Sequence, residues 1–168
     1  MDTNVLPRID MSTSETGCCP KFNPEGWDSQ HLHFKDKLFV RATTRSLLHI
    51  PINMGSVFTR VQKRIEEAAA QEPDSYLVLS RDLSATEAEH LFAVSRDVPG
   101  EDMVRLSGEF ITRVFEGPYR HAKEWHHVME TAAEAAGRTV KRVFMFYTTC
   151  PKCSRAYGKN YVVGLAEI

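Results

Sequence analysis

Residues 55–72, GSVFTRVQKRIEEAAAQE, carry apolar side chains at the spacing of an amphipathic helix. These positions recur three or four residues apart: Val57, Phe58, Val61 and Ile65. Pro73 then ends the periodic stretch. The pattern predicts a helix with one apolar face, and such a face is typical of a helix that packs on a sheet.

The segments on either side of this helix have the composition of β-strands. Residues 37–52, KLFVRATTRSLLHIPI, are rich in β-branched and apolar side chains and predict one or two strands. After the helix, residues 76–82 (YLVLSRD) and 89–98 (EHLFAVSRDV) are short apolar runs bounded by polar turns. The first half of the chain therefore predicts the order β, α, β, β.

The second half of the chain repeats that order. Residues 103–117 (MVRLSGEFITRVFEG) are extended, with a predicted break near Gly108. Residues 122–137 (AKEWHHVMETAAEAAG) have helical spacing and end in a glycine that suits a helix C-terminus. Residues 142–149 (RVFMFYTT) and 160–168 (NYVVGLAEI) predict two closing strands.

The apolar stripes of the two predicted helices match at a constant offset of 64 residues. The aligned positions are Val61 with Trp125, Ile65 with Met129 and Ala68 with Ala132. We interpret the match as a duplicated βαββ unit in an α+β domain of residues 37–168, with repeats at 37–98 and 104–168. The expected fold is an antiparallel sheet with two long helices on one face and a ligand cleft between the units. Residues 1–36 are expected to form a flexible N-terminus and a packed loop.

Composition restricts the class of protein. Hydrophobic residues make up 42% of the chain and charged residues 26%, which is ordinary for a soluble globular protein. The net charge of -1 gives no electrostatic reason to expect nucleic acid or an anionic membrane as a partner. The first residues lack the basic and apolar regions of a signal peptide, and no apolar stretch approaches the length of a membrane span. We therefore expect a cytoplasmic protein.

Short motifs in the second half resemble the gyrase-inhibitor-like (GyrI-like) family of small-molecule-binding domains. The motifs are VFEGPY before a helix, then FYTTCP, then a final short strand. The residues that carry the resemblance are Gly117, Tyr119, Trp125, Tyr147 and Pro151. The resemblance covers residues 37–168, whereas the segments GCCPKF and CPKC depart from the family pattern. The cysteine pairs also resemble a narrower bacterial group that is loosely labelled hydrolase, a label that names no reaction.

The resemblance implies an aromatic cleft between the two units that binds a flat or amphipathic small molecule. The implied ligand-binding residues are Phe58, Phe115, Tyr119, Trp125, Tyr147 and Tyr161. Phe58 and Trp125 also lie on the apolar helix stripes, and residues in such positions belong to the core more often than to a pocket. Such a protein would act as a stand-alone sensor or sequestering protein, and its partner would be a small molecule.

A hydrolase that uses the same cleft is the alternative function. Glu116 or Glu124, together with a tyrosine or histidine, could activate a water molecule. His127 lies three residues from Glu124 and from Glu130 on the predicted helix, so it could be a general base. The chain has no H-E-x-x-H or G-x-S-x-G motif. The choice between binding and catalysis stays open at this point.

The cysteines form two pairs, Cys18 with Cys19 and Cys150 with Cys153. The spacing C-x-x-C occurs in thioredoxin-like redox proteins, but there it follows an early strand, and here only one predicted strand follows. The sequence Cys-Pro-x-Cys is also common in zinc knuckles, where a tight turn directs two thiolates at one ion. A structural zinc bound by both pairs would connect the N-terminal loop to the last hairpin.

The ligand set of this predicted zinc site stays open. Side chains of adjacent residues diverge, so Cys18 and Cys19 rarely bind the same ion together. A site of three cysteines and one histidine is therefore an alternative to a site of four cysteines. The candidate histidines are His31, His33 and His121. Four unlinked thiols would explain the same residues without any metal, and a disulfide is the least favoured reading.

Overall fold

The computed structural model describes residues 2–17 and 19–168. Within these residues the chain forms seven strands and three α-helices. In chain order they are β1 (His31–Leu47), β2 (Ile50–Pro51), α1 (Met54–Glu67), β3 (Val78–Asp82), β4 (Glu87–Ala93), β5 (Asp102–Glu116), α2 (Ala122–Ala135), β6 (Arg142–Tyr147), α3 (Pro151–Tyr157) and β7 (Tyr161–Glu167). No helix in this part of the chain is both long and apolar enough to cross a membrane.

The strands form an antiparallel sheet that closes into a six-stranded barrel. The sheet order is β2-β1-β4-β3-β6-β7-β5, and β5 also pairs with β1. Closure depends on the length of β1, which pairs with β4 through residues 39–45 and with β5 through residues 31–41. A register shift between Phe34 and Lys37 lets this strand bend. The prediction of an antiparallel sheet is confirmed, and the closure is a feature that the sequence analysis did not predict.

Large apolar side chains fill the interior of the barrel. The fully buried residues of this cluster include Phe39, Leu79, Phe110, Phe144 and Phe146. Burial of each such side chain contributes about 1.5–3 kcal/mol to stability. The interior is a packed core, and this core holds the ends of the strands at fixed positions.

The N-terminal segment lies against the barrel. The Asn4 backbone N–H donates to the carbonyl of His33 at 2.8 Å, and the Ile9 N–H donates to the carbonyl of Asp74 at 2.9 Å. Trp27 is buried, and its ring centroid lies 5.3 Å from that of Phe146. These contacts carry the chain along the barrel before β1 begins.

Two further apolar clusters form beneath the long helices. Val57, Val61 and Ile65 of α1 join a cluster that includes residues of β1 and β4. Trp125 and Met129 of α2 join another cluster with residues of β6 and β7. The order of these helices and strands follows the predicted order. The short strand β2 lies within residues 37–52, which were predicted as one or two strands, and α3 is an addition. The duplication of the unit and the placement of both helices on one face stay predictions.

Two expectations about local structure are wrong. The predicted break near Gly108 does not occur, because Gly108 stays within β5 and pairs with Phe34 of β1. The segment after Cys150 was expected to contain only a turn and a last strand, but it forms the helix α3. This helix has seven residues, too few for an apolar period to be visible in the sequence.

Candidate functional site

The structure brings three of the four thiols together. The sulfur atoms of Cys19, Cys150 and Cys153 all lie within 4.8 Å of one another, and the three thiols are free of disulfides. Cys19 comes from the N-terminal segment, and the other two flank the start of α3. We call these three residues the thiol cluster. Cys18, also predicted as a ligand, lies outside the described residues.

The turn from β6 into α3 places Cys150 and Cys153. Cys150 is the N-cap residue of α3, and its sulfur accepts a hydrogen bond from the Cys153 backbone N–H at 3.5 Å. Pro151 occupies the first helical position, where a missing N–H costs nothing. Gly158, with φ of 71°, ends the helix in the left-handed conformation that favours glycine. One turn of helix therefore directs both thiols to the same side.

Cys19 is held against this turn by hydrogen bonds from Cys150 and Tyr157. Its sulfur accepts a hydrogen bond from the Cys150 backbone N–H at 3.5 Å. Its carbonyl accepts a hydrogen bond from the Tyr157 hydroxyl. Thr16 completes the arrangement, because its Oγ1 lies 3.1 Å from the Cys153 sulfur and 3.3 Å from the Tyr157 hydroxyl. The N-terminal segment and α3 are thus joined around the sulfurs.

The environment of the thiol cluster favours ionisation of one thiol. Cys153 is buried, and burial alone would raise its pKa. Hydrogen bonds from Thr16, Cys150 and Cys19 outweigh this effect and lower the pKa of Cys153 to about 7. A thiolate is the form of cysteine that binds metal ions. The donors around the sulfurs therefore stabilise the form that a metal requires.

The spacing of the sulfurs suits a metal ion. A tetrahedral zinc with Zn–S bonds of about 2.3 Å places two sulfurs about 3.8 Å apart. The three sulfurs of the cluster lie within 4.8 Å, so a small contraction reaches that spacing. Cys19, Cys150 and Cys153 thus form a cluster that could bind a metal. Among the described residues, this cluster includes none of the candidate histidines His31, His33 and His121.

Four of the predicted ligand-binding aromatics lie together beneath α2. Phe115 and Trp125 are stacked, with ring centroids 5.4 Å apart and an interplanar angle of 13°. Tyr119 and Tyr147 meet edge to face at 5.4 Å. All four belong to the apolar cluster beneath α2. We call them the aromatic cluster.

The aromatic cluster adjoins the thiol cluster through Tyr119. The Tyr119 hydroxyl donates a hydrogen bond of 2.7 Å to the carbonyl of Thr149, the residue before Cys150. Burial, and then the negative charge of Cys150 and Cys19, raise the pKa of Tyr119 to about 12. Burial is also the main reason that the pKa of Tyr147 rises to about 12. Both hydroxyls therefore keep their proton at physiological pH, and the single O–H of Tyr119 is used in the bond to Thr149.

The remaining two predicted aromatics lie elsewhere. Phe58 of α1 packs against His90 and Phe92, with ring centroids 4.9 Å apart in both cases. Tyr161 packs against Phe22 of the N-terminal segment at 5.7 Å. The six predicted ligand-binding residues therefore separate into three places.

The predicted catalytic carboxylates and histidine are at the surface. Glu116 and Glu124 are exposed, at the end of β5 and in the first turn of α2. His127 is 81% exposed, and its Nδ1 lies 4.0 Å from Glu130. No hydrogen bond or ion pair among residues 2–17 and 19–168 joins His127 to Glu116 or Glu124. Their roles in catalysis stay predictions.

Thr16, Thr149 and Tyr157 border the thiol cluster and were not predicted from the sequence. Tyr157 follows Cys153 by four residues, which places both on one side of a helix. Pro151 and Gly158 bound that helix and are the signals that could have found it. No comparable signal marks Thr16. The Thr149 hydroxyl is buried and makes no hydrogen bond to the described residues.

Comparison with known protein families gives a match over most of the chain. The model of a protein family described as bacterial hydrolase matches residues 9–168. The matched range includes the thiol cluster, the aromatic cluster and all the described helices and strands. No curated protein matches the chain.

Proposed function

The chain belongs to this bacterial hydrolase family, and we propose that it hydrolyses a small molecule at the thiol cluster with the help of a bound zinc ion. Cys19, Cys150 and Cys153 would hold the ion. The observation that carries the proposal is the convergence of three thiols from two distant segments. In small proteins such convergence is typical of zinc sites.

Three thiols are compatible with a catalytic zinc site, and the exposure of the cluster favours such a site over a purely structural one. Structural zinc sites have four protein ligands, whereas catalytic sites have three and keep the fourth position for water. Cys19 and Cys150 are only half-buried, so the cluster can be reached from solvent. When bound, zinc supplies a water whose pKa is lowered enough to give hydroxide near neutral pH. A structural site would require Cys18 or another fourth ligand.

Residues around the thiol cluster would orient its parts. The Cys150 backbone N–H donates to the Cys19 sulfur, and the Cys153 N–H donates to the Cys150 sulfur. These two bonds fix the directions of the Cys19 and Cys150 side chains. The Thr16 hydroxyl contacts both the Cys153 sulfur and the Tyr157 hydroxyl, so it is placed to orient a polar group at the cluster. Tyr119 fixes the carbonyl of Thr149 and thereby the approach to Cys150.

A second candidate function is small-molecule binding of the GyrI-like type. The aromatic cluster favours it, because stacked and edge-to-face rings are typical of sites for flat or amphipathic ligands. In this case the two βαββ units would form a binding protein, and a zinc at the thiol cluster would only stabilise the N-terminal segment. The two functions are compatible if the ligand of the aromatic cluster is also the substrate.

The test is to measure zinc content and hydrolysis together. Protein purified without chelator should carry about one zinc per chain. A panel of chromogenic esters, phosphoesters and amides should reveal an activity that falls on treatment with chelator and returns with zinc. The variant Cys150→Ser should lose both zinc and activity, while Ser154→Ala, on the next turn of α3, should keep both.

The variant Cys18→Ser separates the catalytic site from the structural one. If three thiols hold the ion, this variant keeps its zinc and its activity. Substitution with cobalt gives a direct count, because the thiolate-to-cobalt absorption grows with the number of bound thiolates. Loss of zinc in Cys18→Ser, together with no hydrolysis of any substrate by the wild type, would contradict the catalytic proposal.

A further inference from the structure

A second site lies on another part of the surface. A cleft of about 500 Å³ opens between the N-terminal segment, the bent part of β1 and the residues after β4. The polar residues that line it include Asn4, Lys37, Glu72, Arg96, Asp97 and Arg105. None of them belongs to the thiol cluster or the aromatic cluster. Its volume is in the range of small-molecule sites.

The bend in β1 turns a lysine into this cleft. The register shift between β1 and β5 falls between Phe34 and Lys37, and Asp36 within it has a φ of 51°. Such an irregularity re-aims the side chain that follows it. Lys37 lines the cleft and is only 5% exposed. Its Nζ lies 2.5 Å from a carboxylate oxygen of Glu72, which is itself largely buried.

This lysine has more hydrogen-bond donors than the described residues use. An ammonium group carries three N–H donors. The bond to Glu72 is the one hydrogen bond that Nζ makes to the described residues. A buried charge with unsatisfied donors costs free energy unless water or a ligand accepts them. The lining of the cleft therefore offers charged donors to a bound acceptor.

The other charges of the cleft limit the kind of ligand. Arg96 and Arg105 add two cations, and the lining carboxylates of Asp36, Glu72 and Asp97 balance the three positive charges. A polyanion would gain little from a cleft without net charge, whereas one anionic group can bind the spare donors of Lys37. We propose that this cleft binds a small molecule through a single carboxylate, with Lys37 as its anchor.

The test is a titration of the full chain with sodium acetate, in which backbone amide chemical shifts are measured at each concentration. Sodium chloride at equal concentration is the control for ionic strength. Acetate should shift the amides around Lys37, Ser95 and Arg105 in a saturable way. Pyrophosphate should bind no more tightly than acetate, because the cleft carries no excess of positive charge.

Two variants decide whether Lys37 is the anchor. The double variant K37M/E72M removes both partners of the ion pair, so that no unpaired charge is buried and the fold is kept. The double variant should bind acetate at least tenfold more weakly than the wild type. The matched control Lys35→Ala changes an exposed lysine next to the bend and should bind like the wild type.

Each outcome decides the proposal. Saturable shifts in the wild type and in Lys35→Ala, absent from the folded double variant, support it. Shifts that persist in the double variant would assign acetate to the rim arginines and overturn it. Shifts that sodium chloride reproduces, or no shifts at all, would also overturn it. Tighter binding of pyrophosphate would replace the carboxylate with a polyanion and contradict the stated ligand class.

Discussion

Two connections between neighbouring strands differ sharply in length and in the functional residues that they contain. Residues 83–86 join β3 to β4, and residues 148–160 join β6 to β7. Both strand pairs are antiparallel. The first connection is a turn in which the N–H groups of Leu83 and Ser84 donate to the carbonyl of Glu87. The second contains α3 and two residues of the thiol cluster.

The difference shows which part of the chain is needed for the sheet and which for the site. An antiparallel pair needs only a short turn. The additional residues of the second connection are therefore not required for pairing, and they need stabilising contacts of their own. Thr148 donates to the carbonyl of Tyr161, and the Asn160 side chain donates to the carbonyl of Gly117, both at 2.7 Å. Cys19 adds a contact from the N-terminal segment.

The largest expected effect would come from removing a thiol of the second connection. Cys153→Ala deletes the most buried member of the thiol cluster, so bound metal should be lost and stability should fall by several kcal/mol. For a chain of this size, that is roughly 10 °C or more in Tm. Chelator should lower the Tm of the wild type towards that of the variant and leave the variant unchanged. A variant with the Tm of the wild type would show that the second connection does not depend on this thiol for stability.

The next effect should arise in β4, the strand that follows the first connection, and should respond to acid. His90 of β4 is buried between the hydroxyls of Thr44 and Ser80, at 2.8 and 2.7 Å. Burial lowers its pKa from 6.5 to about 4, despite the opposing charges of Asp82 and Glu89. The unfolded chain therefore binds this proton more readily than the folded chain. Stability should fall as pH decreases from 6.5 to 4, by about 3 kcal/mol in total.

Urea unfolding of the wild type and His90→Gln at several pH values would isolate this contribution. The variant lacks the titrating ring, so its disadvantage relative to the wild type should shrink as pH falls from 7 to 4. Parallel loss of stability in the two proteins would show that His90 does not titrate in this range.

A smaller effect should distinguish the two long helices. A Cβ added at Gly164 of β7 would lie 2.7 Å from the sulfur of Met129 in α2, so Gly164→Ala should cost about 1–3 kcal/mol. Gly55, in the first turn of α1, has open space around it. The same change there should be neutral or stabilise the protein by up to about 1 kcal/mol. Equal effects at both sites in thermal unfolding would contradict the close approach of α2 to β7.

The smallest effect should come from one hydroxyl group. Tyr119→Phe removes the hydrogen bond to Thr149 and should cost about 1 kcal/mol. Tyr147→Phe is the matched control, because the Tyr147 hydroxyl makes no hydrogen bond to the described residues, and it should cost less. Measured zinc affinity should also weaken in Tyr119→Phe, since Thr149 directly precedes Cys150. Equal stability costs in both variants would show that the hydrogen bond from Tyr119 does not couple the aromatic cluster to the thiol cluster.

The sequence predicted the parts of the fold that repeat a local pattern. The stripe of Val57, Val61 and Ile65 predicts α1 because helical packing requires that spacing. Barrel closure depends on β1 pairing with both β4 and β5, and the alternation within one strand does not identify its partners. The helix α3 is too short and polar for a periodic signal, although Pro151 and Gly158 bound it.

The candidate site shows the same division. The pair Cys150 and Cys153 was visible from its spacing, because both ligands lie within one turn of chain. The contact with Cys19 is a long-range consequence of how the N-terminal segment crosses the barrel, and no local pattern encodes it. Thr16 and Lys37 were missed for the same reason. Their roles depend on Cys153 and Glu72, which are far away in sequence.

The wide separation of Cys19 from Cys150 and Cys153 along the chain also sets an order of events during synthesis. Cys19 leaves the ribosome 131 residues before Cys150. At about 5–20 residues per second, this interval lasts roughly 7–26 s. Throughout that time the nascent chain offers no complete set of three ligands, and a metal bound by Cys19 alone would be held weakly. Capture of the ion would therefore coincide with the arrival of β6 and α3, and it would mark a chain whose barrel has all the strands that it needs except β7.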